Sequence, residues 1–155
     1  MSVALILNIL WNVPGLGFVI AALWLLAAAV MTLTVIGIPW AIACLTMASF
    51  AFAPFGRDLV SREDLTGRRS LGTGPLGVLA NVLWFLLAGL WLCIAHVMAA
   101  AAAAITIIGL PFAWAHLKLA GAALFPVGKR VVAASVSDAI RRRKGDALLD
   151  QSRSG

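Results

Sequence analysis

The sequence predicts an all-α polytopic membrane protein, with about four transmembrane helices arranged as two tandem helix hairpins of the same orientation. Three observations carry this expectation. The first is composition: the chain is 63% hydrophobic and 12% charged, with a mean hydropathy of +1.02, whereas a soluble domain carries about 25% charged residues. A water-soluble fold of 155 residues has too little interior to hide this much apolar surface. The second is charge segregation. No Asp, Glu, Lys or Arg lies between Met1 and Phe55, and none between Ser70 and Leu117, where only His96 and His116 titrate. Fixed charges are confined to the island Arg57–Arg69 and to Lys118 onward, the layout of paired spanning segments.

The third observation is a repeat. Ile36-Gly37-Ile38-Pro39-Trp40-Ala41 returns as Ile108-Gly109-Leu110-Pro111-Phe112-Ala113, and Ala53-Pro54-Phe55-Gly56-Arg57 returns as Phe125-Pro126-Val127-Gly128-Lys129, both 72 residues on. Asn8-Ile9-Leu10-Trp11 matches Asn81-Val82-Leu83-Trp84 at an offset of 73, so one residue was gained or lost in between. Ile36–Val60 and Ile108–Val132 share about 11 of 25 positions. Apolar bias does not place prolines, glycines and a basic residue in register, so the pattern reads as a duplication. Residues 1–69 form the first unit with its connecting loop, 70–134 the second, and 135–155 a basic tail.

Each unit has the same elements. An Asn-x-Leu-Trp segment leads into an apolar stretch, Gly17–Ile36 or Leu90–Ile108, and about twenty residues at ~1.5 Å each span a ~30 Å hydrocarbon layer. Gly37-x-Pro39 and Gly109-x-Pro111 mark helix breaks, glycine taking a left-handed conformation and proline opening the next helix. The second helix, from Pro39 to about Phe52 or from Pro111 to about Phe125, is short for a span, at ~22 Å. Pro-x-Gly and a basic residue close the unit. Leu5–Val13 is broken from the first span by Pro14-Gly15. Leu76–Ile108 has only Ala88-Gly89 there and is ~50 Å as a straight helix, so a kink, a half-buried interfacial helix or a re-entrant piece is expected in both copies. Trp11 and Trp84 suit either the interface or packing on a neighbouring helix.

Topology follows from the basic residues. Arg57, Arg62, Arg68 and Arg69 in the island, and Lys129, Arg130 and Arg141–Lys144 in the tail, belong on the cytoplasmic side. An even number of crossings separates them, so both termini are cytoplasmic and the copies share an orientation, as parallel repeats do. Re-entrant hairpins satisfy the same rule. The net charge of +6 needs no nucleic-acid partner, because the basic residues flank apolar blocks. Cys44 and Cys93 stand singly, as reduced buried thiols do. Met1–Leu5 carries no basic residue, so a removable signal peptide is not expected.

The paired Ile-Gly-(Ile/Leu)-Pro turns, the Pro-(Phe/Val)-Gly-(Arg/Lys) closures and the two Asn-x-Leu-Trp segments resemble the YccF-like bacterial inner-membrane family, from about Leu7 to Val132. The resemblance implies a small polytopic protein of the cytoplasmic membrane with two copies of the domain. It implies no particular activity.

Lys118 is the foremost candidate site residue. It lies near the middle of the second unit's short helix, ~12 Å from Pro126, where its counterpart is Thr46. An ionisable group at such depth is either functional or a lysine snorkelling to the surface. His116, the counterpart of Cys44, points about 200° from Lys118 on the helix. His96 lies thirteen residues before Gly109 and His116 seven after it, a depth difference of ~10 Å, so no joint metal site is expected. No catalytic residues, cofactor or metal site are expected, since the apolar segments hold no Asp or Glu and no nucleophile–base pair or phosphate-cradling loop stands out. Arg141, Arg142, Arg143 and Lys144 should meet anionic lipid head groups, at ~1 kcal/mol each. Two functions remain open. One is a homo-oligomeric path for a small ion or solute, with Lys118 favouring anions. The other is an accessory membrane protein that transports nothing and binds another membrane component.

Overall fold

The computed structural model describes residues 2–68 and 72–153. Helix α1 (Val3–Asn12) starts at Ser2, whose Oγ accepts the Leu5 N–H at 3.4 Å. It stops before Pro14, and Leu16 takes a left-handed turn (φ 59°) into α2 (Gly17–Thr32), bent by 72° from α1. A tight turn leads to α3 (Ile38–Phe52), then strand β1 (Arg57–Ser61) and the short α4 (Arg62–Thr66). The second copy opens with α5 (Pro75–Trp84) and runs through a π-helical turn (Phe85–Gly89) into α6 (Leu90–Ala103). Helix α7 (Leu110–Leu124), strand β2 (Lys129–Ala133) and α8 (Ala134–Arg153) complete the chain.

The residue that separates the two offsets lies at the start of the first long helix. Trp11 and Gly17 are six apart, Trp84 and Gly89 five. The first copy breaks into two helices there. The second stays one continuous helix over the 29 residues Pro75–Ala103, with a π-helical turn inside it. Widened i→i+5 bonding brings Gly89 beneath Trp84, and a Cβ on Gly89 would sit 3.0 Å from the indole Cδ1. Gly17 lies still closer under Trp11, where a Cβ would overlap the ring.

The Gly-x-Pro turns hold, for a different reason than left-handed glycine. Gly37 (φ −73°) and Gly109 (φ −78°) are right-handed. What excludes a side chain is space: a Cβ would strike the Met31 carbonyl and Thr34 Oγ1, or the Ala103 carbonyl and Thr106 Oγ1. The Gly37 and Gly109 N–H groups donate to those threonine hydroxyls, each at 3.0 Å. Pro39 and Pro111 sit in the first turns of α3 and α7, where no N–H is needed. Left-handed glycines stand in the closures, at Gly56 (φ 76°) and Gly128 (φ 81°), and at the end of α4, at Gly67 (φ 67°).

The all-α expectation requires a correction. The segments after each closure pair as a two-stranded antiparallel ribbon, from Arg57 opposite Ala133 to Ser61 opposite Lys129. Val60 and Val131-Val132 are β-branched, and extended strands accommodate them well. The register is symmetric about the Leu59–Val131 pair. Equivalent bonds flank it, Arg62 N–H to the Gly128 carbonyl at 2.9 Å and Ala134 N–H to the Gly56 carbonyl at 3.0 Å. The basic tail is a helix as far as Arg153.

The core lies where the copies meet, among Trp11, Trp24, Cys44, Met47, Phe50, Trp84 and Leu119. Ala21, Ala28, Ala48, Ala51, Ala115 and Ala123 let the helices approach there, as small residues do in membrane bundles. The outer faces are apolar and exposed. Pro75–Ala103 is long and apolar enough to cross a membrane, α1 and α2 together form a bent apolar pair, and α3 is a shorter apolar helix.

Candidate functional site at the joint between the copies

The same three ties hold each short helix. Asn8 donates Nδ2 to the Phe55 carbonyl and accepts the Phe55 N–H at Oδ1, both at 3.1 Å. Asn81 does the same to Val127, both at 3.0 Å. Three residues on, and so on the same helical face, Trp11 Nε1 donates to the Ala51 carbonyl at 2.7 Å, and Trp84 Nε1 to the Ala123 carbonyl at 2.8 Å. Carbonyls at the C-terminal end of a helix have no partner within it, and these indoles satisfy one in each copy. Both tryptophans are therefore packed inside, at 0% and 5% exposure. The Asn-x-Leu-Trp motif thus has a role that the sequence reading left unassigned.

Lys118 is where the copies differ most. From α7 of the second copy its Nζ reaches the first copy's closure, 2.9 Å from Asp58 Oδ1. It donates to the Pro54 carbonyl at 2.9 Å and also to the Arg57 carbonyl. The ammonium lies 5.2 Å from the centre of the Phe50 ring, a cation–π distance. Its three protons thus have acceptors within the chain, and Lys118 and Asp58 are only 17% and 18% exposed. This is the snorkelling geometry, directed to a carboxylate instead of water. Thr46 merely returns its hydroxyl to its own helix, at the Ile42 carbonyl, 2.9 Å away. Asp58 is the partner that sequence reasoning missed. The duplication held a clue: Asp58 stands where the second copy has Arg130, and Lys118 where the first has Thr46. The two positions depart from their twins together.

The structure brings His96 and His116 together, with Nδ1 atoms 3.1 Å apart, against the expected ~10 Å difference in depth. The error came from counting the turn 104–109 as helix rise. Measured from the helix ends, His96 lies seven residues before Ala103 and His116 six after Leu110, which is the same level. One Nδ1 must donate and the other accept, so a single proton lies between the two rings. His116 also meets Trp11 edge-on, with ring centres 5.0 Å apart. The twin position of His96 is Trp24, which stacks on Trp84 at 6.0 Å. No group of three metal-ligating side chains occurs among the described residues.

Two members of the basic cluster form ion pairs within the chain. Arg141 Nη2 is 3.4 Å from Asp58 Oδ2, and Lys144 Nζ is 2.7 Å from Asp64. Both draw α8 onto β1 and α4. Arg142 and Arg143 are exposed. Arg68 closes the first described segment, and Arg69 lies outside the described residues.

A family model described as an inner membrane component domain, YccF, matches the chain twice, over residues 6–57 and 79–129. The inner membrane protein YccF of Escherichia coli (strain K12) is 35% identical over 139 residues, covering 88% of this chain and 92% of the relative. The protein of the same name from Shigella flexneri matches to the same extent. No solved structure matches the chain. By a family match to each of its two copies and by relatives similar over nearly their whole length, the chain belongs to the YccF family.

Proposed function

We propose that this protein is a non-transporting component of the bacterial inner membrane, with its termini and ribbon on the cytoplasmic side. The observation that carries this reading is the engagement of Lys118. A lysine selecting anions along a permeation path needs free ammonium donors at an open axis, and this one is spent on Asp58 and two carbonyls. Its role is to hold the copies together. Reconstituted into liposomes, the protein should give no chloride flux above protein-free vesicles, and Lys118→Ala should lower stability without creating flux. Anion flux that changes selectivity in Lys118→Ala would restore the reading as a homo-oligomeric path.

The same reading favours hairpins that dip into the membrane from the cytoplasmic side over four full crossings. Helices α2, α3 and α7, at 15 or 16 residues, rise about 22–24 Å against a ~30 Å layer, and only Pro75–Ala103 is by itself long enough to cross among the described residues. Their tips are apolar: Val35 is 85% exposed and Ile107 86%. The tip hydroxyls of Thr34 and Thr106 are already bonded to backbone. Such tips suit hydrocarbon rather than a polar surface.

A further inference from the structure

A groove of about 480 Å³ lies between the copies, bordered by α3, α5 and the second closure. Ile38, Ile42, Leu76 and Ala80 line it with hydrocarbon, and Arg62 and Lys129 bring two cations to it. Among the described residues that line it there is no Asp or Glu, and Glu63, next to Arg62, lines the adjoining pocket. Thr46 adds no free donor, because its hydroxyl is bonded to Ile42. The Arg62 backbone N–H is fixed on the Gly128 carbonyl, yet its buried Nε finds no hydrogen-bond partner among the described residues. A buried guanidinium donor left unpaired is costly, and a phosphate oxygen is the acceptor that suits a guanidinium best.

The twin positions show that the groove belongs to one side only. Trp114 replaces Ile42, Lys118 replaces Thr46, Phe55 replaces Val127 and Ala4 replaces Gly77. Larger side chains thus stand at these twin positions. The position of Arg62 is Ala134 there, and the cation at Lys118 is already neutralised by Asp58.

We propose that this groove binds one anionic phospholipid of the cytoplasmic leaflet, its phosphate on Arg62 and Lys129 and an acyl chain along Ile38, Ile42, Leu76 and Ala80. The size falls in the range of ligand sites, and the pairing of two cations with an apolar lining matches a charged head on a hydrocarbon chain. The proposal holds whether or not a solute crosses the membrane. It goes beyond surface attraction to the tail, because it needs a shaped floor as well as charge.

Native mass spectrometry of the detergent-purified full chain, with phosphatidylglycerol or phosphatidylcholine added, tests it. One phosphatidylglycerol should be retained in preference to phosphatidylcholine. Arg62→Gln should weaken that binding roughly fivefold, the effect of one interfacial cation. Ile42→Trp, which installs the other copy's residue, should weaken binding of phosphatidylglycerol without changing charge. Arg143→Gln should leave it unchanged, and circular dichroism should show all three variants folded. Equal retention of both lipids would overturn the proposal. So would unchanged binding in Arg62→Gln and Ile42→Trp, displacement of the lipid by millimolar inorganic phosphate, or a second copy of the chain that occludes the groove.

Discussion

The two copies share a frame and differ in what hangs on it. The Asn clamp, the indole tie, the threonine-capped turn and the left-handed closure glycine each occur twice with nearly equal distances. These are interactions with backbone atoms, so they survive changes in the side chains around them. Lys118, His96 and His116 belong to the second copy alone; Lys118 faces Asp58 and His116 faces Trp11 of the first, while His96 bonds His116. The shared contacts supply the scaffold, and the residues that differ supply the joint. A homodimer of one copy would make every such cross-axis contact twice. Here the Lys118–Asp58 pair is made once, and its twin positions hold Thr46 and Arg130.

The shared frame is the place to expect the largest effects. Trp11→Ala removes a fully buried indole and its bond to Ala51, and should cost about 3–5 kcal/mol in detergent unfolding followed by circular dichroism. Trp84→Ala should fall in the same range; a cost under about 1 kcal/mol would show that the copies do not share the tie. Gly17→Ala forces a methyl into the Trp11 ring and should cost about 1–3 kcal/mol, more than Gly89→Ala, where the contact is only tight. Equal costs would mean that the bend at Pro14 relaxes as readily as the π-helical turn. Asn8→Ala and Asn81→Ala each free two backbone groups, and the two costs, about 1–3 kcal/mol apiece, should match.

The divergent positions should give smaller, asymmetric effects. Lys118→Met should destabilise by about 1–3 kcal/mol and Thr46→Val by under about 0.5 kcal/mol. A double-mutant cycle of Lys118→Met with Asp58→Asn should show coupling, reduced in high salt. Additive effects would remove the charge pair from the account of how the copies are joined.

Hydropathy and repeat spacing made the helices legible, because apolar runs, prolines and glycines act locally. That Lys118 is the lone fixed charge of its helix was also readable. Three features were not. The ribbon of Arg57–Ser61 with Lys129–Ala133 depends on pairing two segments far apart in the chain, and five residues with mixed charge carry too weak an alternation to announce a strand. The His96–His116 contact depended on where α6 ends, the least readable property of a helix. The groove beside Arg62 exists because small residues on two copies face each other, which no single stretch of sequence displays.

Entry of both hairpins from one side, with their tips left in hydrocarbon, is tested most directly by labelling. With Cys44 and Cys93 replaced by alanine, single cysteines at Val35, Ile107 and Ser152 in intact cells would be exposed to a membrane-impermeant maleimide. The account predicts no labelling at any of the three from outside, and labelling of Ser152→Cys alone once the cytoplasmic side is opened. Labelling of Val35→Cys and Ile107→Cys in intact cells would contradict it and establish four full crossings.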